Sequence, residues 1–331
     1  MNKPAWLLAL LLLACQAVSA DQFLEPARLP AELRQLHFED SQSGKSFLVR
    51  LDDNHLPVTQ DFLADGVTIP FSIEGFLVDS TSGNRLHAWQ VIPKYSPNGV
   101  AILLLHGNGG NLLSNLGGGI VLVKKGFAVT IVDYSGYGYS SGEATRENLL
   151  EDAVSTLDVV SARARLDHDR LVLYGQSLGG HLAVVVAAQH AEKIDALVIE
   201  GAFTSHKAIA AAHKGALAKV FVHEPYSAIQ SIADYTKPLL VIHSRDDEVV
   251  PFAMGQQLFE AANEPKAFLE IGQAHLAGLA LYADQIADGI RGLLDRDHGP
   301  EQTGSEQKIP PISTVGDSQS SSVYWAVTLL R

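Results

Sequence analysis

The sequence predicts an α/β protein in which a mostly parallel sheet of eight strands is covered by helices on both faces. Two observations lead to this fold class. From residue 77 onward, short runs rich in leucine and β-branched residues alternate with longer segments of helical period, as in strands joined by helical crossovers. Several of the short runs are apolar at every position, which is typical of central strands buried on both faces.

Each predicted element has its own sequence signature. The strands are the β-branched and leucine-rich runs, and we place them at residues 75–78, 86–92, 100–105, 128–132, 171–174, 196–199, 239–242 and 267–271. The segments of helical period predict helices at residues 146–163, 179–190, 252–262 and 276–295. An alanine-rich helix is expected at residues 208–222, with Gly215 as a weak point inside it.

The composition excludes several classes of protein. The chain has 331 residues with 24 Lys+Arg against 37 Asp+Glu, a formal net charge of −13, and no visible basic patch. Such a balance repels phosphate backbones, so we expect no nucleic-acid partner. A hydrophobic content of 47% excludes a disordered chain. The single cysteine, Cys15, excludes an internal disulfide framework and a multi-cysteine zinc site.

The first twenty residues resemble an export signal. Lys3 gives a positive start, residues 5–14 form an apolar run too short to span a bilayer, and residues 18–20 are small enough for cleavage before Asp21. We therefore expect an exported, periplasmic or secreted protein. An alternative stays open, because residues 12–15 resemble a bacterial lipobox, in which Cys15 would be lipidated and would anchor the chain to a membrane.

Three regions follow the signal. Residues 21–70 form an irregular leader that is expected to make an edge hairpin or a covering flap, and residues 71–296 form the α/β domain. Residues 297–331 are rich in Ser, Gln, Pro and Gly up to residue 322, which predicts a disordered tail. The sequence leaves the oligomeric state open.

Ser177 is the candidate nucleophile. It is the central residue of the pentapeptide 175–179, Gly-Gln-Ser-Leu-Gly, which follows an apolar strand and opens a helix. A serine on such a sharp turn adopts strained dihedral angles, so its neighbours must lack side chains, and Gly175, Gly179 and Gly180 meet that need. The turn places the hydroxyl at a helix N-terminus, where developing negative charge is favoured.

A glycine-rich turn after another strand offers backbone amides for that charge. Residues 106–111, His-Gly-Asn-Gly-Gly-Asn, end the run at 100–105. Fixed amide donors aimed at an acyl oxyanion are worth roughly 3 to 4 kcal/mol each. We take the amides of Asn108 and Leu178 as the candidate oxyanion donors. The turn has neither the G-x-G-x-x-G pattern nor a P-loop lysine, so we expect no phosphate role.

An acid and a base come later in the chain. A serine hydroxyl needs a base to remove its proton, and that base must be oriented by a carboxylate. His275, after the last predicted strand, fits the base, and Asp247, after the strand before it, fits the acid. Asp246 competes for the acid. His106 and His243 are alternative bases, although both lie early in their loops, where hydrogen-bonded structural histidines are expected.

At about residues 70–295 the chain resembles the α/β-hydrolase superfamily. The motifs that carry the resemblance are HGNGGN at 106–111, DYSGYGYSSG at 133–142, GQSLGG at 175–180 and the D-x-V-V-P spacing from Asp247 to Pro251. They are most similar to a lidless serine hydrolase group that includes α/β-hydrolase-domain depalmitoylases and bacterial esterase-like proteins. The spacing to Pro251 favours Asp247 over Asp246.

The resemblance implies an α/β-hydrolase fold and a serine hydrolase acting on carboxylic esters, with thioesters next, through Ser177, His275 and Asp247. The expected partner is a small acyl substrate, and no cofactor is needed. Two alternatives stay open: a serine peptidase of the prolyl-oligopeptidase type, and a binding protein that keeps the scaffold without turnover.

Two smaller predictions concern the surroundings of this site. Tyr134, Tyr137 and Tyr139 follow a strand at the edge where the site would open, and they either line an acyl pocket or pack beneath the loop. His206, His213 and His223 have spacings that match no compact metal site, so we expect no metal.

Overall fold

The computed structural model describes residues 24–40, 46–58, 63–64, 67–68, 70–296 and 325–330. The predicted export signal, Cys15 and residues 297–324 lie outside this range. The strands in chain order are β1 (Glu25–Pro26), β2 (Gln35–Asp40), β3 (Ser46–Arg50), β4 (Leu63–Ala64), β5 (Val67–Thr68), β6 (Phe71–Asp79), β7 (Arg85–Pro93), β8 (Val100–Leu105), β9 (Gly109–Gly110), β10 (Ala128–Val132), β11 (Arg170–Gln176), β12 (Ala196–Glu200), β13 (Leu239–Ser244), β14 (Lys266–Ile271) and β15 (Trp325–Leu330). The α-helices are α1 (Leu112–Val123), α2 (Arg146–Asp167), α3 (Leu178–Gln189), α4 (His206–Lys214), α5 (Ala228–Ser231), α6 (Phe252–Ala261), α7 (Gly278–Leu281) and α8 (Ala283–Arg296).

The predicted mostly parallel sheet of eight strands is confirmed. Its order is β14-β13-β12-β11-β8-β10-β7-β6, and β7 alone runs against its neighbours. The eight apolar runs of the sequence all fall within these strands. Because the other strands are parallel, the loops after β8, β11, β12, β13 and β14 emerge at one edge, where ligand sites of such sheets lie.

Helices cover both faces of the sheet, as predicted. Alternate residues of each central strand face opposite layers: in β8, Ile102 and Leu104 pack with α1, α7 and α8, whereas Leu103 and Leu105 pack with α2, α3, α5 and α6. Both layers are buried, which explains why the central strands are apolar at every position. Among the described residues, no helix has the length and apolar character needed to cross a membrane.

Three helical segments differ from the prediction. Helix α1 was not predicted, because residues 117–119 are three glycines of low helix propensity. Gly119 has a packing reason, since a Cβ there would lie 2.9 Å from Cδ1 of Ile131. Gly215, with φ at +85°, ends α4 and separates it from a 3₁₀ helix at Ala216–Val220, which divides the expected helix at 208–222. The helix expected at 276–295 is divided at Tyr282 into α7 and α8.

The leader is more ordered than its sequence suggests. Strands β2 and β3 form a hairpin whose Leu36, Phe38 and Val49 are fully buried against the α1 side of the core. Strand β1 pairs in parallel with β9 in the glycine-rich turn. The prediction of a disordered tail is wrong for Trp325–Leu330, because β15 pairs antiparallel with β2 and completes a three-stranded sheet.

Candidate active site

A strained turn holds Ser177 between β11 and α3. Its φ of 53° and ψ of −113° lie in a region that non-glycine residues rarely occupy. Backbone packing fixes the turn: a Cβ on Gly179 would lie 2.1 Å from the Leu105 carbonyl oxygen, and one on Gly175 would lie 2.2 Å from the Gly179 carbonyl oxygen. The glycines of the pentapeptide are therefore required by close approach, as the sequence predicts.

Ser177 also sits at the positive end of a buried helix. It is the N-cap residue of α3, whose residues 178–187 are all buried. Its backbone N–H donates to the Glu200 carbonyl oxygen at 2.8 Å, and its side chain makes no capping bond. The hydroxyl is therefore not used to cap its own helix, and the helix dipole favours negative charge that develops there.

Asp247 and His275 form a direct pair. Nδ1 of His275 lies 2.7 Å from Oδ2 of Asp247, while the other carboxylate oxygen accepts the backbone N–H groups of Val249 at 2.9 Å and Val250 at 2.7 Å. Burial raises the pKa of Asp247, but the bonds from His275 and the two amides outweigh it and leave the pKa below its usual value. The ionised carboxylate therefore orients the imidazole through Nδ1 and leaves Nε2 for proton transfer.

The competing acid and base bind backbone groups of these loops, and His243 also lies against Asp247, with Nε2 3.4 Å from Oδ2. Asp246 accepts the backbone N–H of Gln273 at 3.3 Å, so it braces the loop that carries His275. His243 is fully buried, with Nε2 2.9 Å from the Val250 carbonyl oxygen, and burial lowers the pKa of its imidazole. Of the two aspartates, Asp247 is the one in contact with His275.

Close packing brings the serine and histidine loops together. A Cβ on Gly201, after β12, would come within 2.9 Å of Cε1 of His275. A Cβ on Gly107 would lie 3.4 Å from Cβ of Ser177 and 3.8 Å from a methyl of Leu276. The loops after β8, β11, β12 and β14 thus meet at one point on the carboxyl edge of the sheet.

Glu200 is a buried acid that the sequence analysis did not single out. Its Oε2 accepts the Tyr174 hydroxyl and the Gln176 amide, each at 2.8 Å, and its Oε1 accepts the Gly278 N–H at 2.8 Å. Burial raises the pKa of this carboxyl. The residue ties β11 and β12 to the start of α7, three residues beyond His275. An acidic residue ending the apolar run at 196–200 was the available signal.

Asn108 and Leu178 line the same cavity as Ser177. The leader braces the Asn108 turn: the Glu25 N–H donates to Oδ1 of Asn108 at 3.2 Å, and the Ala27 N–H donates to the Gly110 carbonyl oxygen at 3.2 Å. Part of the expected covering flap is therefore a strap across the glycine-rich turn. The sequence did not predict this strap, because backbone hydrogen bonds join two segments that lie far apart in the chain.

The three tyrosines do not line this cavity, so their acyl-pocket role is corrected. Tyr134 and Tyr137 are fully buried, and their hydroxyls donate to the carbonyl oxygens of His106 at 3.0 Å and Asn108 at 2.9 Å. Tyr139 donates to the Pro30 carbonyl oxygen at 3.0 Å. Tyr134 and Tyr137 instead pack beneath the loop, which was the other interpretation of the sequence. Their hydrogen bonds support the turn that carries Asn108.

Asp133 and His106 lie behind the same turn. Oδ1 of Asp133 accepts the backbone N–H of Leu112, the first residue of α1, at 2.6 Å. Burial raises the pKa of Asp133 to about 7 and lowers the pKa of His106 to about 4. Nδ1 of His106 contacts the Gly107 carbonyl oxygen at 2.8 Å. Its full burial and backbone contact agree with the structural role expected for it.

One of the three histidines whose spacing predicts no metal site, His206, belongs to a group of side chains that could hold a metal ion. In the part of the chain that the structure describes, His181, His206 and Glu224 bring donor atoms within 4.8 Å of one another. The carboxylate is already engaged, because it accepts the N–H groups of His206 and Lys207 at 2.8 Å each and contacts Nδ1 of His206 at 3.1 Å. These bonds cap the first turn of α4 without an ion.

The other two predicted histidines lie apart from this group. Nε2 of His213 contacts the Val249 carbonyl oxygen at 2.8 Å, and the half-exposed Glu147 carboxylate is the acidic partner of His223 at 3.9 Å. The three histidines singled out by spacing therefore do not share a site.

The cavity at Ser177 has a volume of about 380 Å³ and a mixed lining. Leu178, Phe203, Ile209 and Val250 supply apolar surface, and α4 adds the cationic side chain of Lys214 at its end. Concave, largely apolar sites with a few polar groups are typical of small-molecule binding. The site thus combines a buried serine, an oriented histidine and a chamber with both apolar and charged lining residues.

This fold defines a class of α/β protein with a strained serine turn at the carboxyl edge of a mostly parallel sheet. A sequence model of the alpha/beta hydrolase fold matches residues 100–223. The uncharacterized protein YfhR of Escherichia coli K12 is 31% identical over 240 residues, covering 68% of this chain and 83% of YfhR. The chain belongs to the alpha/beta hydrolase family and is, by family, a hydrolase.

Other relatives agree with this assignment. The uncharacterized protein Rv2307c of Mycobacterium tuberculosis H37Rv is 30% identical, covering 66% of this chain and 78% of that protein. Among solved structures, the Pyrococcus furiosus esterase Pf2001 matches with a TM-score of 0.57 at 16% identity, covering 72% of this chain and 99% of the esterase. Est1E of Butyrivibrio proteoclasticus, solved with ferulic acid, matches with a TM-score of 0.55 at 19% identity, covering 66% of this chain and 99% of Est1E. At these identities the two structures show the shared fold.

Proposed function

We propose that the protein is a serine hydrolase that cleaves carboxylic esters through an acyl-enzyme on Ser177. The observation that carries the proposal is the 2.7 Å bond between Asp247 and His275 on a loop packed against the strained serine turn. Strain at a non-glycine residue persists only where the surroundings enforce it, and it is typical of catalytic turns.

The residues have complementary roles in this reaction. His275 removes the proton of Ser177 as the hydroxyl oxygen attacks the ester carbonyl, and Asp247 stabilises the imidazolium that forms. The tetrahedral oxyanion accepts hydrogen bonds from the backbone amides of Asn108 and Leu178. His275 then gives its proton to the departing alkoxide, which leaves as the alcohol. A water molecule, deprotonated by the same histidine, releases the acid and restores Ser177.

The cavity lining supports an acyl ester as the substrate class. Phe203, Ile209 and Val250 provide an apolar surface for an acyl chain beside the serine. Thioesters share the carbonyl chemistry and are the next substrate class. Two solved structures that share the fold are an esterase of Pyrococcus furiosus and Est1E of Butyrivibrio proteoclasticus bound to ferulic acid, which is consistent with ester chemistry on this fold.

Ser177→Ala tests the proposal. With p-nitrophenyl esters of two to twelve carbons, we expect hydrolysis by the wild type and a loss of about a thousandfold or more in the variant, because no nucleophile remains. Retained hydrolysis in a folded Ser177→Ala protein would contradict the assignment. Circular dichroism of both proteins controls for folding.

We also propose that residues 1–20 direct export, with cleavage before Asp21. The composition of the segment supports this proposal. Mass spectrometry of the N-terminal peptide from a bacterial host tests it: a peptide beginning at Asp21 is expected. A lipid-modified peptide beginning at Cys15 would support the lipid-anchored alternative instead.

A further inference from the structure

A group of exposed apolar side chains follows α4 at the edge of the molecule that carries the Ser177 cavity. Leu217, Val220 and Phe221 are 78%, 75% and 44% exposed, and we call these three residues the apolar rim. Val249 is 39% exposed and is tied to the same surface, because His213 of α4 contacts its carbonyl oxygen at 2.8 Å. Clustered exposed hydrophobic residues beside a cavity indicate an interaction surface.

The apolar rim lies in a positively charged part of an acidic protein. Residues 201–223 contain three lysines and no Asp or Glu, in a chain whose formal net charge is −13. Lys207, Lys214 and Lys219 are all exposed. The next acidic residue, Glu224, is turned toward the first turn of α4, where it accepts N–H groups. The segment that carries the rim is therefore cationic, while other segments bring exposed acidic residues nearby: Glu25 in the cavity lining and Glu248 beside Val249.

The rim follows cavity-lining residues directly along the chain. Helix α4 contributes Ile209, His213 and Lys214 to the lining, and the 3₁₀ helix that carries Leu217 and Val220 begins two residues later and is followed by Phe221. The first described residue of the leader, Leu24, lines the same cavity. A surface that covered the rim would therefore lie next to α4, the helix that forms one wall of the chamber at Ser177.

We propose that the apolar rim and its lysines dock the protein on an anionic lipid bilayer, with the cavity mouth toward the membrane. Apolar side chains flanked by lysines suit the boundary between the acyl chains and the headgroups of an anionic bilayer. The acyl chains would bury the rim, and the anionic headgroups would attract the lysines. A second copy of the chain suits the surface less well, because a two-fold interface would bring the lysines of both copies into one contact area. Given the proposed function, the docked enzyme takes its esters from the bilayer.

Vesicle binding by the full chain tests the docking. We expect the wild type to co-sediment with vesicles of phosphatidylglycerol and phosphatidylcholine and to bind pure phosphatidylcholine weakly. The double variant Leu217→Ser/Phe221→Ser is expected to lower the partition coefficient about tenfold or more, because it removes two inserted side chains. All variants share the same N-terminal segment, so differences between them report the rim.

Leu166→Ser is the matched control. Leu166 is 85% exposed, but it lies near the end of α2, at the edge of the sheet where β11 begins, opposite Ser177. We expect this variant to bind like the wild type. For charge, Lys219→Glu is expected to weaken binding at least fivefold, whereas Lys94→Glu, at the opposite edge after β7, is expected to have no effect.

A fluorescent label tests the orientation directly. With Cys15→Ser as background, an environment-sensitive dye on Phe221→Cys is expected to shift to the blue on anionic vesicles, while the same dye on Leu166→Cys is not. Equal binding by the wild type and the double variant, or an unshifted dye at position 221, would overturn the proposal. So would a wild-type dimer that the double variant converts to a monomer, because a second copy would then cover the rim.

The docking and the proposed function fail separately. Ser177→Ala is expected to bind vesicles like the wild type, and Leu217→Ser/Phe221→Ser is expected to hydrolyse a soluble p-nitrophenyl ester at the wild-type rate. Hydrolysis retained by Ser177→Ala would remove the proposed function while leaving the docking result intact.

Discussion

At the scale of single residues, the site depends on groups whose burial is offset by specific partners. Asp247 keeps a lowered pKa in a buried position because His275 and two backbone amides donate to it. Glu200 accepts three donors but has a raised pKa, because its complete burial dominates. The first carboxyl is thereby suited to orient a base, and the second to hold the loops in place.

Asp247→Asn tests the orienting role. The amide cannot stabilise the imidazolium, and its NH₂ group favours the wrong histidine tautomer, so we expect kcat for ester hydrolysis to fall by about a thousandfold or more at pH 7 with a smaller change in KM. Steady-state kinetics on a short p-nitrophenyl ester measures this. Asp246→Asn, the neighbouring change, is the control and is expected to keep most of the activity. Equal losses in both variants would contradict the assignment of Asp247.

The residues of the candidate site differ in how far sequence predicts them. Ser177, Asp247 and His275 are predictable because each follows an apolar strand, and parallel strands bring such loops to one edge. Glu200 and the leader residue Glu25 were missed. Their contacts join segments distant in sequence, and no local pattern encodes such a pairing.

At the scale of elements, α4 is held at its N-terminus by an acidic residue that follows it in the chain. Burial alone would raise the pKa of Glu224, but the bonds from His206 and the two backbone amides lower it to about 2. The folded state thus prefers the carboxylate more strongly than the unfolded chain does. This contribution to stability is complete above the ordinary pKa of 4.5 and is lost as the pH falls toward 2.

Glu224→Gln is expected to lower the free energy of unfolding by about 1 to 2 kcal/mol at pH 7, because it removes a charged acceptor of N–H groups. The difference from the wild type should narrow as the pH is lowered below about 4.5, where the unfolded wild type gains a proton. Urea unfolding at pH 7 and pH 3.5 measures it. Glu151→Gln, an exposed change on α2, is the control; a Glu224→Gln gap that widens in acid would contradict this explanation.

Strands and helices could be predicted from the sequence where their residues are uniformly buried. They were harder to predict where a glycine is present because it allows close packing. The central strands β8, β10, β11, β12 and β13 follow from apolar runs covered on both faces. Helix α1 was missed because its three central glycines look like a loop, although Gly119 is needed for close approach to Ile131. Gly215 ends α4 with a positive φ, which a propensity argument treats only as a weak point.

At the scale of the whole molecule, the glycine-rich turn at the sheet edge and the leader hairpin pair with parts of the chain that lie far from them in sequence. The leader pairs with the glycine-rich turn through β1 and β9, and β15 joins the leader hairpin through β2. Strand pairing of this kind depends on backbone hydrogen bonds between distant segments, which explains why a leader and a tail that look irregular in sequence contain paired strands.

The central claim, that Ser177 is the nucleophile of a Ser-His-Asp hydrolase, is tested most directly by covalent labelling with a fluorophosphonate probe followed by peptide mass spectrometry. We predict stoichiometric modification of the peptide that contains Ser177, no labelling in Ser177→Ala, and labelling slowed by about a hundredfold or more in His275→Ala, because the base no longer activates the hydroxyl. Labelling at any other residue, or none in a folded wild-type sample, would contradict the claim.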